Sequence, residues 1–302
     1  MRRPEAESPA TPELRLIRGA GPELRRGPYR VHLIERPGET LPRASHPELM
    51  AMVRREALAM FDDPTVGDYW DHRPHYLDDL SEWWVAELGG RLAGWSAATI
   101  WDAPWGPVAY MDTLGIHPAH RRSGLGAILG WDPLLRVSRR RRRVGTLTLR
   151  TESPIIFRLC CRVGGRWVYP HITPEGDPIV SEKALAAVEF TAERLNPPKP
   201  VEPETMIMRG ALDFVGSLYG SQPPPCGDDA IDRFFRKHVD LAGGDSVAMA
   251  FVPEAAMLLR STGAYASILG QLVLNSRRRR GREKGRNGSE PASNAGGNSD
   301  AK

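Results

Sequence analysis

The chain has 302 residues, 41% of them hydrophobic, enough to bury a sizeable core in one large domain or two small ones. Its formal charge of +4 is unevenly spread: Ser276 to Lys302 hold eight Lys/Arg against three Asp/Glu, so the body is near neutral and the basic character belongs to a tail. Cys160, Cys161 and Cys226 form neither a CxxC pair nor a disulfide framework, and no run of about eighteen apolar residues occurs, which excludes a disulfide-stapled secreted module and a membrane span.

In chain order, residues 1–13 hold three prolines and mixed charge without an apolar leader, and read as a disordered N-terminus. With the unpaired thiols, this points to the cytoplasm. "YRVHLIERPG" alternates as a first strand, and "HPELMAMVRREALAMF" spaces Leu49, Met52, Val53, Ala57 and Met60 as a helix. A second short helix is expected within Pro74 to Leu80. "WWVAEL", Gly89-Gly90 and "RLAGWSAATI" form a hairpin, because paired glycines supply the positive φ of a primed turn. "PVAYMDTLGI" is the next strand, and a helix follows from about Leu125 to Arg140, where Pro133 is expected to kink or restart it. "VGTLTLR" is a strand, "SPIIFRLCCRVGG" a helix and "RWVYP" a short strand, and a helix over 181–195 leads to the stiff connector "NPPKPVEPE". Beyond it, "DDAIDRFFRKHVDL" reads as a helix capped by Asp228 or Asp229, "SVAMAFV" as a strand, and an apolar helix is expected after Pro253. Residues 276–302 are a low-complexity basic tail. This order of elements indicates an α/β or α+β domain around a mixed sheet.

The segment "IHPAHRRSGLGAIL", residues 116–129, joins a strand to a helix. Such a turn aims successive backbone N–H groups and a helix dipole at an anion, and glycines let the backbone approach closely. Gly124 and Gly126 serve here, with Arg121 and Arg122 at the mouth. A nucleoside-triphosphate loop needs Gly-Lys-Ser/Thr, whereas Ala127-Ile128 follow Gly126. A dinucleotide fingerprint fails on spacing, since Gly124, Gly126 and Gly130 run one residue too long and the region about 20 positions on is basic. Ile116, Pro118, Arg121, Gly124 and Gly126 instead fall on a V-x-P-x-x-R-x-x-G-x-G/A pattern, which resembles the acetyl-coenzyme A signature of the Gcn5-related N-acetyltransferase (GNAT) superfamily.

That resemblance covers about residues 29–170 by motif and element order. It implies a mostly antiparallel central sheet flanked by helices, a GNAT-like domain over 14–200, and a C-terminal α/β extension over 201–275. It further implies that Arg121, Arg122, Ser123, Gly124, Leu125 and Gly126 hold the pyrophosphate of acetyl-coenzyme A, and that Leu114, Gly115 and Ile116 pair with its pantetheine arm. Ser153 stands where the family carries a cofactor-binding asparagine, and Cys160 where it carries the tyrosine that protonates the departing thiolate. The implied reaction is acetyl transfer from acetyl-coenzyme A to an amine, without metal. A coenzyme A-binding regulatory or interaction protein is the alternative.

Such transfer needs a base for the attacking amine, a donor for the oxyanion and an acid for the thiolate. Asp112 and Tyr110, two residues apart on the strand entering the motif, are the first candidates for the base, with a surface or hydrogen-bonding carboxylate the other reading of Asp112. Glu87, beside the hairpin turn, is expected to be solvated. "DYWDHRPHYLDDL" offers acceptor contacts through Trp70, His72, His75, Tyr76, Asp78 and Asp79, whereas His72, His75 and Asp79 lack zinc-ligand spacing. The arginine runs at 139–143 and 277–280 lack interleaved aromatics, so no specific nucleic-acid partner is expected. Acetyl-coenzyme A, an amine and a second copy of the chain are the partners considered.

Overall fold

A computed structural model describes residues 11–61, 63–141, 145–219 and 224–254. In chain order the elements are α1 (Pro12–Ile17), β1 (Glu23–Arg26), β2 (Tyr29–Glu35), α2 (Pro37–Thr40), α3 (His46–Met60), α4 (Thr65–Asp71), β3 (Glu82–Leu88), β4 (Arg91–Ala103), β5 (Gly106–Ile116) and α5 (Leu125–Arg141). They continue as β6 (Thr146–Thr151), α6 (Pro154–Gly164), β7 (Val168–Tyr169), β8 (His171–Ile172), β9 (Pro178–Ile179), α7 (Glu182–Leu195), β10 (Val201–Glu202), β11 (Ile207–Met208), α8 (Asp229–His238) and β12 (Ser246–Phe251).

One sheet runs β1-β2-β3-β4-β5-β6-β12-β11-β10, with β7 also on β12, while β8 and β9 form a separate pair. Among the described residues only the β5–β6 ladder is parallel. The mixed, mostly antiparallel sheet flanked by helices is thus the architecture of the molecule. Gly89 and Gly90, at φ 59° and 76°, make the tight β3–β4 turn that the sequence signals. Successive side chains of a strand face opposite ways, so Trp83 and Trp84 bury into different layers. Trp83 meets Leu49, Met52 and Val53 of α3, whereas Trp84 belongs to the cluster of Leu125, Ile128 and Leu129 of α5. Each such buried side chain contributes about 1.5–3 kcal/mol, so both layers are anchored at the centre of the sheet.

Several expectations are corrected. The short helix lies at Thr65–Asp71, and residues 74–80 form turns. Pro74 biases the preceding residue away from helix, which fixes the stop. Residues 12–13 open α1, whose Leu14 and Ile17 are fully buried, while 1–10 lie outside the described residues. Pro133 does not divide α5. The carbonyl of Leu129, which a proline four residues on leaves without its helical donor, accepts instead from the buried Ser96 Oγ at 2.9 Å. The segment after the proline-rich connector is not set apart from the sheet: β12 pairs with β6 from Thr151↔Val247 to Leu147↔Phe251. The helix expected after Pro253 and the basic tail lie outside the described residues.

Candidate active site

The site begins where a ladder stops. β5 pairs with β4 along its whole length, from Gly106↔Ala103 to Ile116↔Gly94. Its pairing with β6 runs only from Val108↔Thr146 to Met111↔Leu149. Among the described residues, the edge of Asp112 to Ile116 is therefore open on the β6 side. A bulge marks the same place: Met111 opposes Ala98 and Thr113 opposes Ala97, leaving Asp112 as the extra residue. Bulges twist a strand and re-aim its side chains. Gly115 is required within the protein itself, because a Cβ there would lie 2.6 Å from the Trp95 ring.

Past Ile116 the chain turns into α5. Arg122 at φ 59° and Gly124 at φ 90° hold left-handed backbone, which only glycine adopts without cost. Ser123 Oγ donates to the His120 carbonyl at 2.6 Å and accepts from Leu125 N at 3.2 Å, fixing the turn. The first helical bond runs from Ile128 N to Gly124 O. The amides of Arg122, Ser123, Gly124, Gly126 and Ala127 have no acceptor among the described residues. Gly126 is not demanded by packing, since a Cβ would meet only the Ile116 side chain, at 3.4 Å and beyond. Leu125 is fully buried and anchors the helix start. The two arginines differ. Arg121 is tied to backbone, donating from Nη2 to Met60 O at 2.6 Å and from Nε to Ile116 O at 3.4 Å. Arg122 is exposed and makes no ion pair among the described residues.

Tyr110 and Asp112 come together with three residues that the sequence did not single out: Tyr69, Arg73 and Arg150. Asp112 is buried, and its Oδ2 accepts from Arg73 Nη2 at 2.6 Å. Arg73 Nη1 donates to Tyr69 Oη at 2.5 Å, and its guanidinium lies over the Tyr69 and Tyr76 rings. Burial opposes the Arg73 charge, but Asp112 outweighs it and raises the pKa. Tyr110 stacks on Trp101 at 5.9 Å, and its buried hydroxyl has no partner among the described residues; burial raises its pKa. The Arg73 signal lay inside "DYWDHRPHYLDDL". Of that cluster Trp70 and Tyr76 are core, while His72, His75, Asp78 and Asp79 are exposed.

The end of β6 adds a second group. Glu152 is buried, accepts from Leu218 N at 2.8 Å through Oε2, and leaves Oε1 without a partner. Burial pushes its pKa up to about 7. Ser153 caps α6, accepting from Ile156 N at 3.4 Å, and it hydrogen-bonds Tyr219, whose pKa burial pushes up to about 12. Cys160 packs against the apolar cluster around Phe157, and burial pushes its thiol up to about 12, so it stays protonated at neutral pH. Glu87 is buried rather than solvated: Arg18 donates to both its oxygens, at 2.7 and 3.3 Å. All three cysteines are free. No helix among the described residues is long and apolar enough to cross a membrane.

An open strand edge running into a glycine turn at a helix start is thus the centre of this α/β fold. Residues 47–154 match the model of the acetyltransferase (GNAT) family. No curated protein matches the chain. Among solved structures, a ribosomal-protein-alanine N-acetyltransferase from Brucella melitensis biovar Abortus 2308 is 20% identical, with 40% of this chain and 78% of that one covered and a TM-score of 0.28. An aminoglycoside acetyltransferase from an uncultured soil metagenomic sample, in complex with sisomicin, is 13% identical over 46% and 88% of the two chains, with a TM-score of 0.33. The PaiA N-acetyltransferase from Thermoplasma acidophilum, in complex with coenzyme A, is 12% identical over 40% and 79%, with a TM-score of 0.30. The family match over 47–154 supports acyl transfer in general.

Proposed function

We propose that the chain transfers the acetyl group of acetyl-coenzyme A to an amine. The observation that carries this reading is the set of partnerless amides at Arg122, Ser123, Gly124, Gly126 and Ala127, directly after the open edge of β5. A buried or half-buried N–H without an acceptor costs free energy, and a pyrophosphate satisfies several at once. Acetyl-coenzyme A supplies the activated acyl group as a thioester. The amides of the turn and the helix dipole hold its phosphates, with Arg122 the nearer free cation and Arg121 bracing the loop against α3. The exposed edge from Leu114 to Ile116 offers backbone groups to an extended pantetheine chain, which continues the ladder that β6 abandons.

Proton movements fall to few groups. Asp112 is held by Arg73, so its first role is to fix the bulge and the guanidinium beside it. Cys160 keeps its proton at neutral pH and is the candidate donor to the thiolate, whereas Tyr110, which keeps its proton too, is set aside as a base. Positioning of the two reactants supplies much of the remaining acceleration. Free thiols suit a reducing compartment, in keeping with a cytoplasmic enzyme.

A thiol-release assay with acetyl-coenzyme A and a panel of amines tests the reading. Amine-dependent release is expected. Binding without turnover on any amine would make the chain a coenzyme A-binding regulator instead.

A further inference from the structure

Where β6 leaves β5, a cation is left with hydrogen-bond donors to spare. The guanidinium groups of Arg73 and Arg150 stand there with the carboxylate of Asp112 and, two residues past Arg150, the buried Glu152. Arg73 and Asp112 neutralise each other across 2.6 Å. Arg150 has no carboxylate within ion-pair distance among the described residues; its Nη1 donates to Ala211 O at 3.0 Å, which uses one of five donors. Glu152, two residues on, turns its Oε2 to Leu218 N and does not pair with Arg150. Tyr110 faces the same way as Arg150: the parallel register sets Tyr110 beside Thr148, and alternation returns Arg150 to the face of Thr148. Tyr110 and Arg150 are close enough to bias each other's ionisation, and the buried Tyr110 hydroxyl has no partner among the described residues.

A guanidinium keeps its charge at any physiological pH, and its planar fork matches two oxygens of one anion. A half-buried cation with donors left over, beside an orphaned phenol, is complemented by a carboxylate. An acceptor with positive charge on all its arms would bring like charge to Arg150 and leave the Tyr110 hydroxyl unsatisfied.

We propose, resting on the acetyl-transfer reading above, that the acceptor is an amine bearing a carboxylate, which Arg150 holds with Tyr110 as a second donor while the amine faces the thioester.

The test uses the full chain. Acetyl-coenzyme A binding is measured by calorimetry, and thiol release is then followed with β-alanine, 4-aminobutyrate and phenylalanine, each beside its own carboxamide. The expected result is a preference in kcat/KM of about 10- to 100-fold for the carboxylates, the worth of a charged hydrogen-bond pair. Arg150→Gln brings that preference to within about threefold through a higher KM for the carboxylates, and Arg150→Lys, which keeps the charge but loses the fork, falls between. Equal use of carboxamides by the wild type overturns the proposal. So does an equal loss on both members of each pair in Arg150→Gln, or firm acetyl-coenzyme A binding with no carboxylate-bearing amine acetylated. If acetyl-coenzyme A itself does not bind, it is the transferase reading that falls, and the acceptor class with it.

Discussion

The two edges of β5 are unlike. Toward β4 the ladder is unbroken apart from one bulge, and toward β6 it stops after four pairs. The first edge is held by cross-strand packing, with Gly115 pressed under Trp95 and Gly94 under the Gly115 carbonyl. The second is held through side chains: Asp112 accepts from Arg73, Ser153 from Ile156 N and Glu152 from Leu218 N. A continuous ladder satisfies its own backbone groups. A broken one must find partners elsewhere, and that is where a ligand is recognised.

Four substitutions sharpen this contrast, and the largest effect belongs to the open edge. Asp112→Asn leaves Arg73 charged and buried without its carboxylate, and destabilises the chain by about 3–4 kcal/mol in urea unfolding. A loss under about 1 kcal/mol would show that the pair does not hold the bulge.

Glu152 comes next. Its folded carboxyl titrates near 7 and its ordinary value is 4.5, so the native chain keeps the proton across that window while the unfolded chain releases it. Stability therefore falls as pH rises from about 4.5 to about 7. Glu152→Gln flattens the slope and stabilises the chain at pH above 7 by about 2–3 kcal/mol. Slope of the same sign remaining in the variant includes the contribution of Glu82, which burial also pushes up to about 7 despite Arg136 at 3.0 Å. An unchanged slope would take Glu152 out of the account.

On the paired edge, Gly115→Ala drives a methyl into the Trp95 ring and costs about 2 kcal/mol, read as a lower melting temperature. A melting temperature equal to the wild type would mean that Trp95 moves aside freely. The smallest effect is Ser153→Ala, which removes the α6 cap at a cost of about 0.5–1 kcal/mol. Its urea midpoint should shift by correspondingly little, and a larger shift would point to the Tyr219 contact as the stronger bond.

The same contrast explains what the sequence makes legible. Strands with an internal signal are readable: "WWVAEL" and "RLAGWSAATI" alternate around two glycines, and β5 runs into a motif whose glycine and proline spacing is specific. The turn's conformation follows from local chemistry, as Gly124 at φ 90° illustrates. Short and distant pairings are not readable. β1, "ELRR", is charged and sits at the sheet edge, so it carries no apolar alternation. β12 reads as a strand from its residues, but its place beside β6 depends on a contact roughly a hundred positions away, which no local pattern encodes. The helix of Thr65–Asp71 hid behind Gly67 and its aromatic residues, and the cluster after it drew attention to histidines that prove exposed. Arg73 and Arg150 were missed for a physical reason as well. An arginine in sequence looks like surface, and only the fold sets Arg73 on the Asp112 carboxylate and Arg150 on the face of Tyr110.

The central claim is that the open edge and its turn hold acetyl-coenzyme A. Calorimetric titration of the full chain with acetyl-coenzyme A, beside an Arg122→Glu and Gly124→Glu double variant, tests it most directly. The account predicts binding in the micromolar range by the wild type and a loss of about 100-fold or more in the variant, since two anions then face the phosphates and a left-handed glycine is gone. Equal binding by both proteins would contradict it, and absence of binding by the wild type would reduce "IHPAHRRSGLGAIL" to a bend between a strand and a helix.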